Sequence, residues 1–152
     1  MILNMDKQKL QEELKESMLA KDELRTSVIR LLLSAINYYE IQKGGAGYSA
    51  SDEDVLSVIQ KEIKQRKDSI EQFKNAGRQE LADKEQKELE ILQKYLPEQM
   101  SEEEVKSIVQ QTIQETGAKT ITDMGKVMGA LNAKLKGKAD MGMVSQLVKS
   151  SL

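Results

Sequence analysis

Residues 52–75 read DEDVLSVIQKEIKQRKDSIEQFKN, and the spacing of their apolar members decides the class of fold. Leu56, Ile59, Ile63, Ile70 and Phe73 recur at steps of three, four and seven, so they line one side of a helix; a half-buried strand would alternate instead. Arg66 stands where the same stripe has room for one more apolar residue. Ser51 and Asp54 form the pattern of a capping box, and Asp52, Glu53 and Asp54 suit the positive end of a helix dipole. At 1.5 Å per residue this helix would be about 36 Å long, a length suited to an antiparallel hairpin. Asn75, Ala76 and Gly77 make the break. Leu81, Leu89, Leu92 and Leu96 then predict a return helix over 79–95, stopped by Pro97 because the residue before a proline is pushed out of helical geometry.

The same periodicity extends in both directions. Upstream, Leu10, Leu14 and Met18 predict a helix over 6–20. Asp22 can cap another over 23–42, whose Leu24, Val28, Leu31, Leu32, Ala35, Ile36 and Tyr39 give a face wide enough for two neighbours. The glycine-rich KGGAGYS (43–49) follows a helix where a phosphate-binding loop would follow a strand, and reads as a mobile connector. Downstream, Ser101 with Glu104 is a fuller capping box, and Val105, Ile108, Val109, Thr112 and Ile113 form a buried side that Gly117 closes with positive φ. A helix over 122–136 follows, and Asp140 caps a last one carrying Met143, Val144, Leu147 and Val148. The expected fold is all-α: a four-helix hairpin or bundle part over 1–97, a hinge at YLPEQMS, and a three-helix unit over 98–152.

Composition narrows the chemistry. Hydrophobic residues make up 39% and charged residues 32%, with mean hydropathy -0.54 and a single proline, a mix that favours surface-rich helices. Absence of cysteine removes disulfides and thiolate metal sites, and absence of histidine removes the usual general base and zinc ligand. Neither a GxxxxGK[ST] loop nor an EF-hand loop occurs. No catalytic residue, metal ligand or cofactor site is expected. No apolar run approaches the roughly 18 residues of a membrane span, and MILNMDKQKLQEELKE becomes charged too soon for a secretory segment, so a cytoplasmic location is expected and no membrane partner.

Charge is unevenly placed. From Gly117 onward six lysines face two aspartates, whereas the preceding residues carry 17 basic against 23 acidic. A basic end on an acidic chain suggests a local anionic partner. Within it, DMGKVMGALNAKLKGKAD (123–140) places Gly125 and Gly129 on one helical face, although a helix-interior glycine costs about 1 kcal/mol relative to alanine. Two readings stay open. The missing side chains let a neighbouring helix approach, as small-xxx-small pairs do, or they leave room for a nucleic-acid backbone beside Lys126, Lys134, Lys136 and Lys138 at the Gly137 turn, where the next helix also opens with amide donors suited to phosphate. No aromatic residue follows Tyr95, so RNA there would be held by backbone and shape rather than by base stacking. A second basic run, KEIKQRKDSIEQF (61–73), resolves into Glu62–Arg66, Lys64–Asp68 and Lys67–Glu71 pairs on a solvated face. Its alternative reading is a secondary phosphate contact by Lys64, Arg66 and Lys67 with Arg78, and Arg66 could instead snorkel across the hairpin.

The segments KQRKDSIEQFKNAGRQELADKEQKELEILQKYLPEQMSEEEV (64–105) and DMGKVMGALNAKLKGKAD resemble the YqeY-like proteins of the GatB/YqeY family, and the resemblance covers essentially the whole chain. It implies an all-helical fold in two parts, the second similar to the tail domain of the GatB subunit of tRNA-dependent amidotransferase. In that complex the tail contacts tRNA, while kinase and transamidation chemistry belongs to a separate metal-containing domain. The similarity carries over at Gly125, Lys126, Gly129, Gly137, Lys138, Ala139 and Asp140; nothing here matches the catalytic domain. The resemblance therefore implies a non-catalytic protein binding tRNA or another structured RNA. The alternatives are a protein-interaction adaptor in translation, and a carbon-nitrogen ligase role with glutamine as amido donor only by homology or beside another subunit.

Overall fold

Five of the seven described helices begin where a short polar side chain takes up a first free amide, and those starts punctuate the chain. The computed structural model describes residues 5–152, which form α1 (Lys7–Leu19), α2 (Glu23–Gly44), α3 (Asp52–Asn75), α4 (Gln79–Gln93), α5 (Glu102–Thr116), α6 (Met124–Leu135) and α7 (Met141–Ser151), with 3-10 turns at Gly45–Gly47 and Ile121–Asp123 and no strand among the described residues. Asp6, Asp22 and Asp140 accept the amides of Lys9, Arg25 and Gly142. Ser51 with Asp54, and Ser101 with Glu104, close reciprocal capping boxes. Gly117 ends α5 at φ 68. The chain is all-α.

The described helices fall into two compact units, the first ending at Pro97 and the second beginning at Glu98. In the first, α2 packs against α1, α3 and α4, and α3 and α4 form the long hairpin. Its core is built from Leu10, Val28, Ile29, Leu32, Ile36, Val55, Ile59, Leu89 and Leu92, all almost fully buried. Three residues expected inside lie outside: Met18 is 50% exposed, Leu31 51% and Leu81 39%. Leu31 shares the helical stripe but sits at its edge, and Ile29 takes the inner position instead; periodicity fixes a stripe's direction better than its width.

The connector is also tied more firmly than its glycines suggest. Ala50 donates its N–H to Glu40 at 2.7 Å, and the same carboxylate receives Lys7 Nζ at 2.8 Å, joining α1, α2 and the connector through one buried acid. Tyr48 and Tyr39 donate their hydroxyls to Asp54 at the start of α3. A β-carbon at position 44 would lie 2.9 Å from Tyr48 Cβ, so only glycine lets the chain fold back here.

In the second unit α5, α6 and α7 pack on one another around Val105, Val109, Val127, Leu131, Leu135, Ala139, Val144 and Val148. The Ile121–Asp123 turn leads into α6, so Gly125 falls in that helix's first turn while Gly129 lies in its interior.

Candidate nucleic-acid interface

The apolar face of α6 is consumed by the core through Val127, Leu131 and Leu135. The opposite side carries Gly125, Gly129, Asn132 and Lys136, stacked at steps of four, three and four and all exposed. A β-carbon built at Gly125 or Gly129 meets nothing within 4 Å. Among the described residues no helix fills the gap, so close packing within this chain does not account for these glycines.

The lysines divide. Lys126 is exposed on α6, near enough to Asp123 to favour that carboxylate's charged form, although the backbone N–H groups of Lys119 and Thr120 hold its pKa down more strongly. Lys136 is exposed and Lys138 half-buried at the turn after α6. Lys134 points to α5, with Nζ 2.9 Å from Glu115 Oε2 and 3.1 Å from Thr112 Oγ1. That contact is the leading cause of the lowered pKa of Glu115. Thr112 is fully buried and donates its own hydroxyl to the Ile108 carbonyl, which leaves its oxygen free to accept from Lys134. Gly137 turns the chain at φ 81, a left-handed conformation that favours glycine. The opening of α7, expected to offer amides to phosphate, is capped by its own Asp140, which occupies the Gly142 N–H at 2.9 Å.

The secondary basic candidates do not form one patch with Arg66. Lys64, Lys67 and Arg78 are exposed, but Arg66 is buried between α3 and α4, with Nη1 2.8 Å from Glu62 Oε2 and Nε 3.5 Å from Glu88 Oε2. It reaches across the hairpin, and two carboxylates already hold the charge a phosphate would need.

Sequence reading passed over one further cluster. A cleft of about 610 Å³ in the first unit is lined by Glu13, Glu16, Arg25 and Tyr95 among others. Arg25 Nη2 lies 3.4 Å from Glu13 Oε1, and burial is the main cause that pushes the Tyr95 hydroxyl up to about 12. These residues come from α1, α2 and the turn after α4 with no shared motif, so no local signal marks them. Among the described residues no three metal-ligating side chains converge, and no helix is long and apolar enough to cross a membrane.

Comparison with known proteins gives the family. The model of the YqeY-like protein family matches residues 7–152. Curated relatives include the "Altered inheritance of mitochondria protein 41, mitochondrial" of Pyrenophora tritici-repentis, 33% identical over 93% of this chain and 77% of that protein. The proteins of the same name from Lachancea thermotolerans and Saccharomyces cerevisiae are 44% and 42% identical, each over 57% of this chain and 46% of their own length. In those two matches the chain spans less than half of the relative. Their names are mitochondrial, which overturns the cytoplasmic expectation. Lack of cysteine and of a long apolar run bears on disulfides and bilayer spanning, properties on which cytosolic and organellar proteins need not differ. With the match running from the first helix to the last residue, the chain belongs to the YqeY-like family.

Proposed function

We propose that this protein is a non-catalytic RNA-binding helical protein, with tRNA as the class of ligand, and that the exposed side of α6 with the following lysine turn is its contact surface. The observation that carries the reading is the uncovered glycine face. Gly129 forfeits helix stability without letting any neighbour among the described residues approach, and it does so beside Lys126 and on the same stripe as Lys136. A sugar-phosphate backbone can lie close to a bare helical turn, with lysines supplying the charge. The resemblance of this unit to a tRNA-contacting tail supports the same choice. Binding should be salt-dependent, because each neutralised phosphate releases counterions. The test is a titration of the full chain with unfractionated tRNA at several salt concentrations. Reversing Lys126, Lys136 and Lys138 to glutamate should abolish binding, and unchanged affinity and salt slope would refute the site.

A second reading, an adaptor docking on a protein of translation, is favoured by a different surface. Leu31, Tyr38 and Ile41 are 51%, 61% and 65% exposed along one side of α2. Recovery of a protein partner after nuclease treatment would support it, and recovery that needs intact RNA would count against it.

A further inference from the structure

The lysine turn sits at an electrostatically unfavourable place for a phosphate. It follows the C-terminus of α6, where the last helical carbonyls have no partner within the helix and the dipole is negative, an end that attracts cations and repels anions. Lys136 and Lys138 alone would have to overcome that field. Several carbonyls at this helix end and in the turn after it are nonetheless taken up. Asn132 O accepts from Lys136 N at 3.1 Å, and Leu135 O accepts from Lys138 N at 2.9 Å and from Ala139 N at 3.2 Å. Two carbonyls of the turn itself are reached from a distant segment. Gly137 O accepts the side-chain amide of Gln99 at 2.8 Å, and Lys138 O accepts the Met100 N–H at 2.9 Å. Met100 packs against the core of the second unit, which anchors the segment just ahead of the α5 capping box.

We infer that Gln99 is a positioning residue for the anion contact of this turn: with the Met100 N–H it clasps the Gly137 and Lys138 carbonyls inward, so that Lys136 and Lys138 flank a turn in which those two acceptors are occupied. The inference rests on the RNA-binding reading above and adds to it a residue 37 positions away from the nearest of these lysines, on a different element. Without the Gln99 donor, the Gly137 carbonyl loses its partner near the incoming phosphate, and the turn loses one of the two contacts that hold it between the lysines. A neutral donor suits this task, because it occupies the carbonyl without adding a charge of its own.

Gln99→Met removes the amide at nearly constant volume, and Gln99→Asn keeps an amide that is too short to span the gap. In the full chain titrated with unfractionated tRNA, loss of about one phosphate contact should weaken binding roughly five-fold near 150 mM salt and make the slope of log affinity against log salt shallower by about one. Far-UV circular dichroism should report unchanged helix content. A residue that only stabilised the fold would lower the active fraction and leave the slope alone. Wild-type slope and affinity in folded Gln99→Met, with binding abolished by Lys136→Glu plus Lys138→Glu, would overturn the clasp and leave the RNA reading standing. If the double lysine reversal binds as wild type does, the RNA reading falls and takes the clasp with it. Should both Gln99 variants fail to fold, the wild-type protein supplies the answer by NMR. The Gln99 side-chain amide must shift together with the backbone amides of Lys136 and Lys138 on addition of tRNA, and an unmoved Gln99 resonance beside moving lysine amides overturns the proposal.

Discussion

At the scale of single residues, Gly129 is where stability and binding pull apart. A methyl group added there meets nothing within 4 Å, and the residue lies in a helix interior. Gly129→Ala should therefore stabilise the second unit by about 1 kcal/mol, raising its melting temperature by several degrees, while weakening tRNA affinity. A thermal melt and a titration on the same sample check both halves. Gly125→Ala should gain less, because the first turn of a helix lacks the full interior penalty. Glu115 offers the opposite lever. It competes for Lys134 through an exposed ion pair of modest strength, so Glu115→Gln should raise tRNA affinity by at most a few-fold, again read by titration. The two glycines were legible as an anomaly from spacing alone. Whether a neighbour covers them was not, since periodicity gives the direction of a helical face and says nothing of what stands opposite. The capture of Lys134 by α5 escaped for the same reason: residues 112, 115 and 134 come together only once α5 and α6 pack.

At the scale of elements, the α3–α4 hairpin is held by an uneven charge set, one arginine between two glutamates, all largely buried. Arg66→Met leaves Glu62 and Glu88 facing each other without a counter-charge, and should cost about 3–5 kcal/mol by urea unfolding, whereas replacing all three with apolar residues of matching volume should recover most of that loss. The unusual place of Arg66 in an apolar stripe was visible in the sequence; its partner Glu88 was not, because nothing local fixes the register of the two helices. The start of α3 makes a pH-dependent contribution. The hydroxyl of Tyr48, then the Ser51 N–H and the Tyr39 hydroxyl, hold the Asp54 carboxyl well below the usual carboxylate range, and Tyr48 is pushed up to about 12 by the same contact. A lowered carboxyl pKa stabilises the fold above its unfolded value near 4 and loses that contribution as pH falls; a raised phenol stabilises below its unfolded value near 10 and loses it as pH climbs. Tyr48→Phe should thus move the acid midpoint of helix loss upward and flatten the alkaline decline above pH 10, both followed by circular dichroism. The capping box itself was readable, because it is local chemistry at fixed spacing. The two tyrosines that reinforce it come from outside that pattern.

At the scale of the whole molecule, charge and packing are partitioned along the chain. Each unit has its own apolar cluster, and the basic excess lies from Gly117 onward. A fragment of residues 98–152 should fold by itself and bind tRNA about as well as the full chain, because it holds the whole contact surface; a fragment of residues 1–97 should not bind. Gel shift at low and moderate salt distinguishes these outcomes. The all-helical class was readable throughout, since the helices carry their apolar stripes and five of the seven described ones a side-chain cap. The compartment was not, because the composition used to infer it describes redox and hydropathy limits rather than an address.

The uncovered face of α6 also has a consequence for mutation and selection. Any glycine codon becomes an alanine codon through one base change, so position 129 is a single step from a sturdier protein. Under selection for heat tolerance alone that step should be among the first taken. A population also required to retain RNA binding should keep its glycine, and deep sequencing of the two lineages would reveal which demand the position answers to.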